Sequence, residues 1–311
     1  MKIILTGLML FFSTWATATP LNKIVVFGDS LSDNGNLYEY MKHKLPISPP
    51  YFEGRFTNGP VWIENIAKFY YPDDAEAHLL DYAFGGSGVS EPDDGDEDED
   101  ALFTLRREID SYLLAHHDRA DEQTLFAVWI GSNNYVALPD DPEQAVLAAN
   151  QGIVHELERL AEKGAKHIMV VTLPDLGRTP AAVDFDSVDL LTSLTHKHNA
   201  LLEQNVLTLK DKYPVVQWLF FDVNVMFINA LTSPAEYGFT NVTDTCYEAA
   251  MGTPSSQSIL KMASTVKRKV SQDACAGYLF FDPIHPTARA HQFMADEGIK
   301  ILQEAGIEFV S

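Results

Sequence analysis

Five short apolar runs recur along the chain: Lys23 to Phe27 (KIVVF), His78 to Phe84, Leu125 to Ile130 (LFAVWI), His167 to Leu173 (HIMVVTL) and Val216 to Val223 (VQWLFFDV). Runs this short and this continuously apolar predict strands buried on both faces. Longer stretches of mixed character between them predict helices near Val61 to Tyr70, Leu102 to His116, Pro142 to Lys163 and Asp186 to Lys212, with a last helix following Pro286. Pro286 itself is expected at the first position of that helix, fixing its start. Strands alternating with helices imply an α/β fold, a right-handedly wound three-layer α/β/α sandwich around a five-stranded parallel sheet. No repeat and no linker interrupts the pattern, so residues 19–311 are expected to form one domain. In such sheets, reactive groups collect where loops leave the carboxyl ends of the strands.

A sixth apolar run stands apart. Lys2, the stretch Ile3 to Phe12 and the small residues Ala16-Thr17-Ala18 follow the order of an export signal, so residues 1–18 are expected to be a cleaved leader. A membrane anchor is the alternative, but the run falls short of the ~20 residues that cross a bilayer. Export to the periplasm or the exterior changes how Cys246 and Cys275 read. In an oxidising compartment an isolated pair is expected to bridge, the alternative being two unrelated buried thiols. The bridge would close an insertion of about thirty residues and stabilise the fold by roughly 3 to 4 kcal/mol through loop-closure entropy.

Composition narrows the function classes. With 46% hydrophobic and 21% charged residues over 311 positions, the chain can bury a sizeable core and is not intrinsically disordered. Its 22 basic residues against 44 acidic ones give a formal charge of −22, which opposes binding to nucleic-acid phosphates, so no nucleic-acid partner is expected. Eight of the acids lie between Glu91 and Asp100 (EPDDGDEDED), a run without the spaced order of a calcium loop and read as a solvated loop. The histidines are scattered, and His196 and His198 on one helix point to opposite sides. No metal site and no cofactor is expected.

The loops after the first three strands carry the candidate chemistry. The first is Gly28-Asp29-Ser30-Leu31-Ser32-Asp33-Asn34-Gly35-Asn36, where a serine at a strand end can expose both its hydroxyl and its N–H. The second, Asp81 to Gly88, offers the Gly86 N–H; the third, Gly131-Ser132-Asn133-Asn134, offers the Asn133 amide. Donors from three loops can converge on the negative oxygen of a tetrahedral acyl intermediate. Each loop alone is also ordinary turn chemistry. A base comes from Asp282-Pro283-Ile284-His285-Pro286, where the carboxylate can orient one imidazole nitrogen and leave the other to accept the serine proton. A solvated surface histidine is the reading of that segment taken alone.

Together, the blocks GDSLSDNGN, Gly86 with its neighbours, GSNN and DPIHP resemble those of the GDSL (SGNH) hydrolase family, in matching order and over essentially the whole mature chain. Within it the sequence is most similar to secreted bacterial lysophospholipases and glycerophospholipid:cholesterol acyltransferases, which share LPDLGRTP (Leu173 to Pro180) and an exported, cysteine-bridged build. The resemblance implies Ser30 as nucleophile, His285 as general base, Asp282 as its orienting carboxylate, and Ser30 N–H, Gly86 N–H and Asn133 as oxyanion donors. It implies the flavodoxin-like three-layer fold as well. Two positions depart from the family pattern: Asn134 stands where many relatives carry Asp, and Asp81 where many carry Asn.

The expected activity is therefore an exported serine ester hydrolase acting on fatty acyl esters of lysophospholipids or similar substrates, with acyl transfer to a sterol as a variant of the same chemistry. A carbohydrate acetylesterase and a non-catalytic exported binding module are the alternatives. Tyr51, Phe52, Phe56 and Trp62 are available as lipid contacts or as core. Between the cysteines, Ser258 to Val270 sets Ile259, Met262, Val266 and Val270 at roughly helical spacing beside Lys261, Lys267, Arg268 and Lys269. Such a basic amphipathic stretch either touches a membrane surface transiently or packs as a solvated helix. As a lid beside the DPIHP turn, it would be opened by a protease cutting near Lys267 to Lys269, with the bridge holding both ends. Asn241-Val242-Thr243 is a glycosylation sequon only where the source glycosylates secreted proteins.

Overall fold

The structure, a computed structural model, describes residues 20–90, 103–251 and 273–310. The expected leader, the acidic run 91–100 and the basic stretch 258–270 lie outside the described residues.

The five apolar runs form one parallel sheet: β1 (Lys23–Gly28), β2 (Leu79–Asp81), β3 (Thr124–Trp129), β4 (His167–Val171) and β5 (Gln217–Phe221). Their spatial order is β2-β1-β3-β4-β5, with Phe27 opposite Val128 and Gly28 opposite Trp129. The chain steps outward from β1 to β2, then jumps back across β1 and proceeds from β3 to β5. Such a reversal opens a crevice at the carboxyl ends of β1 and β3, where open α/β sheets bind ligands. Every residue of β3 is buried, which fits its unbroken apolar run TLFAVW.

Helices cover both faces. α1 (Trp62–Tyr70), α2 (Leu105–Ala115), α3 (Pro142–Lys163), α4 (Val188–Lys212), α5 (Val223–Thr232) and α6 (Ala288–Glu304) account for the longer helical segments described. α1 packs against α6 on one face, while α2, α3 and α4 adjoin in sequence on the other. Trp62 of α1 sets its ring edge against Trp129, centroids 5.6 Å apart, and Tyr112 of α2 does the same against Phe27 and Phe126. The bounds of α3 are those expected, because both end signals are strong. Asp141 accepts the Gln144 N–H, Pro142 supplies a preset φ at the first turn, and Gly164 ends the helix in the left-handed region.

Several expectations change. Of the run His78 to Phe84 only Leu79–Asp81 forms the edge strand β2; beyond it the Tyr82 and Phe84 N–H groups still bond the Val26 and Gly28 carbonyls and lead the chain along β1 to the crevice. The run Val216 to Val223 divides at Asp222, whose carboxylate caps α5 by accepting the Val225 N–H, so Val223 is helical. Pro286 is not the first residue of the last helix. Thr287 is its N-cap, with Oγ1 accepting the Ala290 N–H, and the helix begins at Ala288. The cysteines are bridged, and a small parallel pair, β6 (Asn241–Thr245) with β7 (Tyr278–Phe280), runs beside the bridge.

Candidate active site

β1 ends at Gly28 and the chain turns through Asp29 to Ser32. Two aspartates hold this loop. Asp29 Oδ1 accepts the Leu31 N–H, and the Asp29 carbonyl accepts those of Ser32 and Asp33. Buried Asp33 accepts four backbone donors, Gly35 and Asn36 on Oδ1 and Leu37 and Gly85 on Oδ2, at 2.6 to 3.2 Å. The Gly85 bond clamps the second loop to the first. Burial pushes both carboxyls up to about 6 against the pull of these N–H groups.

The second loop needs its glycines for two different reasons. A β-carbon at Gly85 would collide with the Phe56 ring, whereas Gly86 has open space around it but a φ of 85°, which favours glycine. Ser87 then joins three elements. Its Oγ donates to Glu108 Oε1 of α2 at 2.6 Å, and its carbonyl accepts Asn133 Nδ2 of the third loop at 2.8 Å. Glu108 Oε2 accepts the Gly28 N–H at 2.8 Å, so one buried carboxyl ties the end of β1 to the second loop. Burial drives the Glu108 pKa well above the usual carboxylate range, more than these hydrogen bonds lower it. Among the described residues, neither the Ser30 nor the Gly86 N–H has an acceptor. Both residues and Asn133 line one cavity.

The third component is the turn between β7 and α6. The Phe281 N–H bonds to the His285 carbonyl and the Thr287 N–H to that of Leu279, folding Asp282 and His285 onto one tight turn. Thr57 Oγ1 donates to the Pro286 carbonyl, and Asn58 Oδ1 accepts the Ala288 N–H, fixing the turn to the segment before α1. Asp282 is completely buried. Its Oδ1 accepts the N–H groups of Ile284 (2.9 Å) and His285 (2.7 Å); its Oδ2 accepts His285 Nδ1–H (2.7 Å) and the Tyr51 hydroxyl (2.8 Å). Burial alone would raise its pKa, but the His285 charge and the hydrogen bonds outweigh it and hold the carboxyl below its ordinary value. An ionised Asp282 keeps the proton of the neutral ring on Nδ1 and leaves Nε2 to accept. Ser30 Oγ lies 2.8 Å from Nε2.

Around this line the walls are apolar. The cavity of about 490 Å³ is bounded on one side by Leu37, Met41, Phe56 and Phe103, and on another by Met226, Phe227, Phe280 and Phe293. Leu37, Phe56 and Phe103 belong with the cluster packed on the disulfide, and Phe227 and Phe280 with a separate cluster near β7. A hydroxyl aligned with an imidazole and a carboxylate, beside two unsatisfied N–H groups and an amide, has the parts needed for acyl transfer.

Comparison with known proteins decides the family. The model of the GDSL-like lipase/acylhydrolase family matches residues 24–297. The chain belongs to that family. Among curated relatives, a phosphatidylcholine-sterol acyltransferase of Aeromonas hydrophila is 27% identical over 99% of this chain and 98% of its own length. A thermolabile hemolysin of Vibrio parahaemolyticus is 27% identical over 89% of this chain but only 63% of its own length, so the chain spans less than two thirds of that relative. A solved structure described as a GDSL-like lipase from Parabacteroides merdae superposes with a TM-score of 0.50 at 12% identity, covering 92% of this chain and 97% of the other, which bears on the fold alone. As a GDSL lipase/acylhydrolase family member, the protein is an ester-hydrolysing enzyme.

The two departures from the GDSL pattern acquire physical reasons. Asn134 pairs with the Val89 backbone like one peptide with another, its Oδ1 accepting the N–H at 2.9 Å and its Nδ2 donating to the carbonyl at 2.8 Å. A carboxylate there would satisfy only the N–H. Asp81 accepts the Asn34 N–H on one oxygen and the Ala83 N–H on the other, which an amide oxygen alone could not do in this geometry. Burial first, and the nearby Asp33 charge second, raise the Asp81 pKa well above the usual range.

The four aromatic candidates separate. Phe56 lines the cavity, with its ring 5.1 Å from that of His285. Tyr51 holds Asp282. Trp62 is core, donating Nε1–H to Ser32 Oγ at 3.0 Å, and Phe52 lies beneath the Arg55 guanidinium. The sequence does not single out Glu108, and it offers Tyr51 only as a lipid contact or as core, not as a partner of Asp282. Glu108 occupies the apolar stripe of α2 with Leu105, Ile109 and Tyr112, and an acid in such a stripe is a signal of a buried partner. Tyr51 has no comparable signal, because its partner lies 231 residues away.

Proposed function

We propose that the protein is an exported serine hydrolase that cleaves fatty acyl esters, with lysophospholipids as the leading substrate, through an acyl-enzyme on Ser30. The observation that carries this reading is the unbroken Ser30–His285–Asp282 hydrogen-bonded line inside a large apolar cavity. As Ser30 Oγ attacks the ester carbonyl carbon, its proton passes to His285 Nε2, and Asp282 stabilises the imidazolium. The Ser30 and Gly86 N–H groups and Asn133 Nδ2 receive the negative oxygen. His285 then gives its proton to the departing alcohol. Water, activated in turn by His285, releases the fatty acid; an alcohol in place of water gives a new ester, which is the sterol-acylating variant suggested by the name of the Aeromonas relative.

Long apolar walls favour a fatty acyl chain over an acetyl group, which would leave most of the cavity unfilled. Export is supported by the leader-like residues 1–18 and by the Cys246–Cys275 bridge, a bond suited to an oxidising compartment. The test is a panel of lysophosphatidylcholine, diacyl phosphatidylcholine, p-nitrophenyl acetate and an acetylated sugar, with and without cholesterol as acceptor. Hydrolysis of the lysolipid well above the acetates is expected. Preference for the acetylated sugar would replace this reading with a carbohydrate acetylesterase, and no turnover of any ester would leave a binding module.

A further inference from the structure

Large apolar side chains are exposed on the loops and first turns that leave the carboxyl edge of the sheet. Tyr40 (55% exposed) and Met41 follow β1, Leu138 follows β3, Val183 (66%) and Phe185 (59%) follow β4, and Val225 (56%) follows β5. Each is tied to the mouth of the cavity. Met41 lines it, and the Tyr40 ring meets edge-on the ring of Phe103, which also lines it. Leu138 comes two residues after lining Val136, and Val225 sits between lining residues Val223 and Met226. The short helix Pro180–Asp184 that carries Val183 is held to the Asp282 turn by the Ala181 N–H on the Pro283 carbonyl at 3.0 Å. Elsewhere, exposed apolar side chains such as Phe69, Leu114, Leu147, Leu207 and Val215 are scattered over α1 to α4 and the segment before β5, as on any protein surface. A set gathered around one opening is different in kind.

We infer that this carboxyl-edge rim docks on a lipid surface of zwitterionic headgroups, so that an acyl chain moves from the lipid layer into the cavity without crossing water. The inference rests on the fatty-acyl-ester reading above. Two features specify the occupant. The rim is continuous with an apolar cavity that holds the Ser30–His285 line, so a protein partner seated there would block it while a lipid layer would supply it. The formal charge of −22 repels an anionic bilayer and leaves a neutral one accessible.

The experiment compares the mature chain with the variant Val183→Asp/Phe185→Asp/Val225→Asp, none of whose positions lines the cavity. A control carries Leu114→Asp/Leu207→Asp/Val215→Asp. The unmodified protein is expected to co-float with phosphatidylcholine vesicles at least tenfold more than with phosphatidylglycerol vesicles. The rim variant should lose flotation and at least tenfold of its rate on vesicle lipid, while keeping within twofold its rate on soluble p-nitrophenyl butyrate and its fluorophosphonate labelling; the control should match the unmodified protein. As a check free of substitutions, a photoactivatable phosphatidylcholine should label the unmodified protein at residues 180–185 and 223–226. Flotation undiminished in the rim variant, or labelling confined to other segments, overturns the inference. So does phosphatidylglycerol binding that survives the rim substitutions, which would place the contact on the basic stretch 258–270. Loss of soluble ester turnover and fluorophosphonate labelling in the unmodified protein would instead refute the underlying serine hydrolase reading.

Discussion

Asp282 gathers four donors on two oxygens, and this sets how firmly His285 is aimed. The Tyr51 hydroxyl and His285 Nδ1–H share Oδ2, so removing the hydroxyl leaves the carboxylate free to tilt about its remaining bonds. Tyr51 is a positioning residue that touches no reacting atom. Tyr51→Phe is expected to lower kcat about tenfold with little change in KM, as fits the loss of one hydrogen bond to a charged group; steady-state kinetics with an unchanged kcat would remove Tyr51 from the account. Asn133 differs because, in the proposed reaction, its amide would receive the oxyanion itself. With one N–H already spent on the Ser87 carbonyl, its second is available to the cavity. Asn133→Ala should cost roughly 10² to 10³ in kcat. A rise in KM with kcat preserved would make the residue a binding contact instead.

At the scale of elements, α2 does more than cover the sheet, because Glu108 bridges the end of β1 and the second loop. Its carboxyl accepts the Gly28 N–H on Oε2 and the Ser87 hydroxyl on Oε1, and burial raises its pKa; a glutamine keeps an acceptor for the Gly28 N–H, and its amide N–H can donate to Ser87 Oγ once that hydroxyl turns. Glu108→Gln is therefore expected to retain stability within about 1 kcal/mol, whereas Glu108→Ala should lose roughly 2 to 4 kcal/mol by orphaning a buried N–H and opening a void. Urea unfolding distinguishes the two, and equal losses would mean that the bridge needs an ionised carboxylate. This bridge also shows what the sequence conveys and what it does not. The strands β1, β3 and β4 were legible because continuous apolar runs report burial on both faces, and α3 because its cap, proline and glycine are local. The turn carrying Asp282 and His285 was legible for the same reason, its geometry being set within three residues. α5 was hidden because an apolar strand runs directly into an apolar helix, with only the Asp222 cap to mark the boundary. The β6–β7 pair and the Tyr51–Asp282 bond join segments distant in sequence and leave no periodic trace.

Across the whole molecule, buried ionisable groups with opposed shifts shape stability against pH. His198 is fully buried, accepts the Tyr135 hydroxyl and Asn150 Nδ2 on Nδ1, and is held by burial down to about 3. Because the unfolded imidazole binds its proton near 6.5, His198 destabilises the fold progressively as the pH drops from 6.5 toward 3. Asp29 and Asp33, raised to about 6, act in the other direction: their contribution is greatest below the unfolded value of 3.8 and is lost as the pH rises through 6. His198→Gln should therefore lose less stability between pH 7 and pH 4.5 than the natural protein, by about 2 to 3 kcal/mol in urea unfolding. Equal losses would show that the ring is already charged in the fold. These balances hold a frame that brings residues 30, 86, 133 and 285 to one cavity, with Asp282 buried behind His285. The most direct measurement of that convergence is peptide mass mapping after reaction with a fluorophosphonate. The adduct should fall on Ser30 alone and disappear in His285→Ala; an adduct on Ser87 or Ser132, or ester turnover that continues in Ser30→Ala, would contradict the account.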